Sequence, residues 1–222
     1  MSQASTTAGH AASAAHGGGH EVASLGVDSR KIGVWAFIGS EVMFFVTLIT
    51  VYLIYKPRNL AAGGPDPKEA LGIGVTSALA AILLASSVTM VLALAAIRRG
   101  DRRLFRIWLL ATVVLGLCFL GGQAYEFTEL IVGEEITMPT SIFGMTFFIL
   151  TGFHGTHVAI GVIWLLSTFA KVMRYPRSPE NVMDVEIAGL YWHFVDLVWV
   201  AIFTLIYLLP DFKPAAAVLG LW

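Results

Sequence analysis

Residues 185–209 read VEIAGLYWHFVDLVWVAIFTLIYLL, an apolar run whose acidic and imidazole side chains are Glu186, His193 and Asp196. A helix rises ~1.5 Å per residue, so such a run crosses the ~30 Å hydrocarbon core of a bilayer. Four more runs of sufficient length precede it, at about 31–55, 71–97, 104–131 and 140–172. The 140–172 run is long enough to lie tilted. In lipid every backbone N–H and C=O must find an internal partner, which leaves helices or a closed barrel. Barrel strands would alternate polar and apolar over about ten residues, and these runs do not. The sequence predicts an all-α, polytopic membrane protein: five transmembrane helices in one bundle.

Composition points the same way. Of 222 residues, 57% are hydrophobic and 13% charged, and the mean hydropathy is +0.77. A water-soluble domain averages roughly 45–50% apolar and about 25% charged residues, so a soluble enzyme and a disordered chain are both excluded. The net charge of −1 lacks the basic balance of a nucleic-acid binder. The one cysteine, Cys118, permits no internal disulfide and no cysteine-held cluster. Turn-forming groups separate the runs: Lys56-Pro57-Arg58, Gly63-Gly64-Pro65-Asp66-Pro67, Arg99-Gly100-Asp101, Met138-Pro139 and Tyr175-Pro176-Arg177. Residues 1–29 form an Ala/Gly/His-rich tail without a secretory apolar region. His10, His16 and His20 lie there with no second ligand type, so a solvated extension accounts for them. Residues 30–209 form the membrane domain, and 210–222 a short extension.

Lysine and arginine set the orientation. With the N-terminus inside, ten of the 14 basic residues fall on inner segments, from Arg30 and Lys31 to Arg177. Lys56, Arg58, Lys68 and Lys213 fall outside, as do Glu134 and Glu135. The expected topology is N-terminus inside and C-terminus outside, with Trp35, Trp108 and Trp222 as interfacial anchors. In the second run Gly72, Gly74, Ser77, Ala81 and Ala85 form a small-residue face suited to close helix packing.

An ionisable side chain at mid-bilayer costs about 2.5–3.5 kcal/mol on insertion scales, so each one asks for a reason. Glu41 is ten residues past Lys31, hence ~15 Å into its helix. It reads either as a proton-pathway or lipid-facing carboxyl, or as a structural partner for a neighbouring helix. Gln123, Glu126 and Glu129 share a face near the outer end of the third run. Structural pairing is one reading for them, and a solvated or inter-subunit role is another for Glu129. His154, His157 and Gly161 fall on one face of the fourth helix, where the histidines could hydrogen-bond across helices or bind metal. Glu186, His193 and Asp196 share a sector of the fifth helix. Asp196 could orient the His193 imidazole within a proton relay or a packing network. Trp192 and Trp199, seven apart, could pack against a partner. Arg98, Arg99, Arg102, Arg103 and Arg106 make an inner basic turn, read as a topology signal or as contacts to anionic lipid headgroups.

Four of these stretches carry a resemblance. They are Gly33-Val34-Trp35-Ala36-Phe37-Ile38-Gly39-Ser40-Glu41, Gly122-Gln123-Ala124-Tyr125-Glu126, Thr151-Gly152-Phe153-His154-Gly155-Thr156-His157-Val158 and Tyr191-Trp192-His193-Phe194-Val195-Asp196-Leu197-Val198-Trp199. In this order, across residues 30–209, the chain resembles subunit III of the haem–copper respiratory oxidases, the cytochrome c oxidase subunit III family. The resemblance implies an accessory subunit that holds no haem or copper, these lying in partner subunits. It implies packing on catalytic subunit I, in company with subunit II and phospholipid, and support of proton uptake and durability during turnover. The setting it implies is a bacterial-type inner membrane, where larger respiratory supercomplexes form. Glu41 matches the family's intramembrane carboxyl near bound lipid. Glu126, His154, His157, Glu186, His193 and Asp196 match its recurrent polar positions, where packing and polar pairing are the implied roles. Many members have seven spans with a lipid cleft between the first two and the last five. This chain has five, so that cleft would be open or completed by another subunit. The implied electron donor is cytochrome c. Quinol oxidases and some nitric oxide reductases use similar subunits. A proton-coupled carrier using Glu41 and the His193/Asp196 pair, and a b-type cytochrome using His154 or His157 with His193, remain different classes of reading.

Overall fold

A computed structural model describes residues 29–61, 73–133, 136–137 and 141–208 of the chain. The tail histidines, Gly72, Trp222, Glu134, Glu135, the Gly63–Pro67 and Met138-Pro139 breaks, and the 1–28 and 210–222 segments lie outside them. Among the described residues there are five long helices and no strand: α1 Ser29–Ala61, α2 Ile73–Arg98, α3 Arg102–Val132, α4 Ile142–Arg174 and α5 Asn181–Phe203. All five are long and apolar enough to cross a membrane. A π-helical turn, Thr204–Leu208, extends α5.

Local chemistry sets the ends. Gly100, at φ +77°, closes α2. Its N–H reaches the Ile97 carbonyl while the Asp101 N–H reaches that of Ala96, so a Schellman motif ends the helix. The same Asp101 side chain then accepts from the N–H groups of Arg103 and Leu104, starting α3. Ser141 accepts from Gly144 N–H at the start of α4. Asn59 of α1 accepts from Phe143 N–H, tying the C-terminal end of α1 to the N-terminal end of α4.

The hairpin of α2 and α3 is the most extensive helix pair. α5 packs against α1, α2 and α4, and its indoles reach α3. It is the most buried span, and α1, which contacts only α4 and α5 extensively, is the least buried. Without a hydrophobic force between helices in lipid, close packing and interhelical hydrogen bonds hold such a bundle. Phe45, Tyr52, Leu83, Met90, Phe105, Phe119, Phe147, Trp192 and Trp199 fill the centre.

Three expectations need correction. Lys56-Pro57-Arg58 does not end the first helix, because α1 runs through Pro57 to Ala61. Proline forfeits one backbone bond but is tolerated in the last turns of a membrane helix. The small-residue face at Gly74, Ala81 and Ala85 is exposed, and the packed face carries Thr76, Leu79, Ala80, Leu83, Ser86, Met90 and Ala93 instead. α2 is apolar all round, with small residues on both sides, so composition alone could not select the packing face. Trp192 and Trp199 do not wait for a partner: both are buried inside this chain.

Candidate functional site

The polar side chains inside the bundle fall into four groups, each built by a different set of helices. Toward the C-terminal end of α3, Glu126 is 7% exposed. Its Oε1 accepts from Thr76 Oγ1 of α2 at 2.6 Å and from the Tyr207 hydroxyl at 3.1 Å. The π turn brings Tyr207 there, so three elements meet on one carboxyl oxygen. Gln123, one turn inward, donates from Nε2 to the Thr151 carbonyl of α4 at 2.7 Å. Glu129, on the same nominal stripe, is exposed.

Two histidines of α4 differ in environment. His154 is fully buried. Its ring stacks on Trp199 with centroids 4.9 Å apart, and Phe119 and Phe45 approach it edge-on at 5.8 Å and 6.3 Å. Neither ring nitrogen has a hydrogen-bond partner among the described residues. His157 lies at the α1–α4 seam. Its Nδ1 faces the Phe153 carbonyl at 2.7 Å and its Nε2 faces Glu41 Oε2 at 3.2 Å. Glu41, for which the sequence left open a proton-pathway or lipid-facing carboxyl and a structural partner for a neighbouring helix, faces an imidazole of α4, and its side chain stays 21% exposed.

On α5 the sector of Glu186, His193 and Asp196 divides. Glu186 sits near the N-terminal end of α5 in ion pairs with Lys31 at 2.6 Å and Arg98 at 3.1 Å. Asp196 does not hold His193. Ser87 of α2 takes His193 Nδ1 at 2.7 Å, and neither Asp196 oxygen closes a hydrogen bond although Ser87 stands beside that carboxyl too. The i, i+3 spacing aims both side chains at α2, where a hydroxyl meets the imidazole first. One turn away, Trp192 Nε1 donates to Ser86 at 3.0 Å.

The fourth group rims the end of the bundle where α1 and α5 begin and α2 and α4 finish. Arg30 pairs with Glu180 and Asp184, and Lys171 pairs with the same two carboxylates. Glu180, just before α5, is held below its ordinary value of 4.5, first by the Arg30 hydrogen bond and then by Lys171. Together with Lys31–Glu186–Arg98 these bonds join ends of α1, α2, α4 and α5. Of the basic turn, Arg98 is engaged there and Arg102 donates to the Pro176 carbonyl. Arg99, Arg103 and Arg106 are exposed, as is Trp35, whereas Trp108 is half-buried.

Sequence reasoning missed Thr76, Ser86, Ser87, Tyr207, Glu180 and Asp184. Hydroxyls are cheap in membrane helices and gave no signal. The two acids sit among basic residues at one end of the bundle, where charge counting could have suggested pairing. Among the described residues no three His, Cys, Asp or Glu side chains converge as metal ligands would.

Residues 10–210 match the family model for cytochrome c oxidase subunit III. The cytochrome c oxidase subunit 3 of Alkalihalophilus pseudofirmus is 36% identical over 189 residues, covering 85% of this chain and 91% of that protein. The cytochrome c oxidase subunit 3 of Bacillus sp. strain PS3 is 37% identical over 187 residues, covering 84% and 89%. The quinol oxidase subunit 3 of Bacillus subtilis is 36% identical over 178 residues, covering 80% and 86%.

Proposed function

Since the chain belongs to the cytochrome c oxidase subunit III family, we propose that it serves its oxidase as a non-redox subunit that steadies the catalytic subunit, bound lipid and proton uptake. It is subunit III of a haem–copper oxidase, a multi-pass protein of the bacterial plasma membrane and a member of a larger oxidase complex. The partners we assign are catalytic subunit I and subunit II, with haem and copper carried by those partners and phospholipid at the margins. Supercomplex membership extends the same reading.

The observation that carries the helper role is the Glu126 contact, in which hydroxyls of two other elements answer one buried carboxyl. His157 and His193 likewise each turn a ring nitrogen to an oxygen of this chain. Polar groups used this way fix helix register, which is what a supporting bundle needs. The clustering of Arg30, Lys31, Arg98 and Lys171 at one end supports an N-terminus inside the cell.

We assign cytochrome c as the electron donor, after the first two relatives. Quinol is the second reading, which the similar identity to the Bacillus subtilis quinol oxidase subunit favours. Gentle solubilisation and purification through a tag on this chain tests both. The expected result is co-purification of a haem-bearing oxidase that oxidises reduced cytochrome c. Turnover with quinol alone would replace the donor. Recovery of the chain without any haem protein would remove the oxidase role.

A further inference from the structure

α5 is the most buried span, yet one stripe of it faces outward. His193 is partly exposed, and Leu197 and Val200, one and two turns further along the same face, are 68% and 40% exposed. The stripe lies between α1 and α2, since α5 packs against both while those two make no extensive contact with each other. Lys31 of α1 and Arg98 of α2 meet at Glu186 and close one end of this groove. Leu84 and Val91, one turn either side of Ser87 on α2, are exposed beside it.

The imidazole sets this stripe apart from a lipid-facing one. Ser87 Oγ stands 2.7 Å from His193 Nδ1. Ser86 gives its hydroxyl hydrogen to the Leu83 carbonyl, whereas Ser87 makes no bond to a carbonyl among the described residues. The Ser87 hydrogen is therefore free for Nδ1, which leaves the ring hydrogen on Nε2. Among the described residues nothing accepts from Nε2, and that atom, unlike both ring nitrogens of His154, is not sealed inside the chain.

Depth decides what can meet it. His193 lies one residue from the middle of the 27-residue span Asn181–Tyr207. Half of a hydrocarbon core about 30 Å thick separates it from the oxygens of lipid headgroups. Acyl chains offer no acceptor, and a donor left unmet in hydrocarbon is costly. Polar side chains at this depth face protein.

We propose that this stripe is the face on which a transmembrane helix of the catalytic subunit docks, with His193 Nε2 donating to a side-chain or backbone oxygen of that helix at mid-membrane. Leu84, Val91, Leu197 and Val200 supply the apolar contact around that one hydrogen bond, which fixes the depth of the incoming helix. Ser87 is a positioning residue: by holding Nδ1 it turns the N–H outward. The partner's identity rests on the oxidase-subunit reading, and the face on atoms of this chain.

The test is photocrosslinking in the assembled oxidase, purified through a tag on this chain. Leu197→p-benzoylphenylalanine puts a light-activated group on the stripe. Ile163→p-benzoylphenylalanine puts it on the outward side of α4, where Ile163 is 66% exposed. The expected result is a covalent adduct with the haem-bearing subunit from position 197 and not from position 163. Attachment from 197 to phospholipid only, to a second copy of this chain or to another subunit overturns the proposal, as do equal adducts from both positions. His193→Leu removes the donor and should weaken retention of the chain by about threefold or more, the worth of one interhelical hydrogen bond in a membrane. His193→Gln keeps an N–H near the place of Nε2 and should restore most of that loss. Equal losses in the two variants would assign the effect to packing of the ring and overturn the anchor. An intact haem enzyme without an adduct from 197 rejects the face and leaves the subunit assignment standing, whereas purification without any haem protein removes both.

Discussion

Trp192 shows how much can rest on residues with no side chain. Its indole lies where a Cβ on Gly116 would come within 2.6 Å and a Cβ on Gly161 within 3.0 Å. Gly116→Ala should therefore destabilise the bundle by about 1–3 kcal/mol, the usual cost of overpacking. Gly39→Ala on α1 meets nothing within 4 Å and should be neutral or gain up to ~1 kcal/mol of helix propensity. The temperature at which the chain is lost from solubilised oxidase reads both, and a fall for Gly39→Ala equal to that for Gly116→Ala would contradict the packing. At this scale the sequence marked expensive groups well and cheap ones poorly. Glu41, Glu126, His154 and Asp196 stood out because burying them costs energy. Thr76 and Tyr207, which answer Glu126, and Ser87, which answers His193, cost little in a helix and did not.

The elements were more legible than their faces. Five runs became five helices, because length and apolarity alone decide whether a segment can span. Which side of α2 packs was not readable, and neither was the continuation of α1 past Pro57. The π turn was also invisible, since nothing in Thr204–Leu208 distinguishes an i→i+5 turn from an ordinary one. It is a structural necessity here, because it carries Tyr207 to Glu126. Tyr207→Phe and Thr76→Val should each destabilise by about 1–3 kcal/mol by leaving a buried carboxyl under-bonded. Their double variant should cost less than the sum if both serve the same oxygen. Additive losses in a thermal dissociation cycle would show that the two hydroxyls act independently.

Across the whole molecule, the rim that carries Arg30, Lys31, Arg98 and Lys171 is where charge ties four helices together. The Glu180 carboxyl is depressed in the folded protein, so its contribution is present above the ordinary value of 4.5. That contribution disappears as pH falls through the lower folded value. Retention of the chain by the oxidase at neutral pH and low salt should be weaker in Glu180→Gln than in the unsubstituted protein. The difference should vanish under strong acid and shrink at high ionic strength, since these groups are exposed to water. A difference that grew on acidification would mean that the carboxylate does not act through Arg30 and Lys171.

The centrality of α5 also has a consequence in time. The ribosome completes this span after the other four, yet it supplies contacts to all of them. Until it emerges, α4 is the one helix among the described residues that α1 contacts extensively, and the acids that engage Arg30 and Lys31 are only then being made. The α2–α3 hairpin can therefore pack early while α1 locks late, and a nonsense codon before residue 181 would leave α1 without its partner helix α5 and exposed to quality-control proteases.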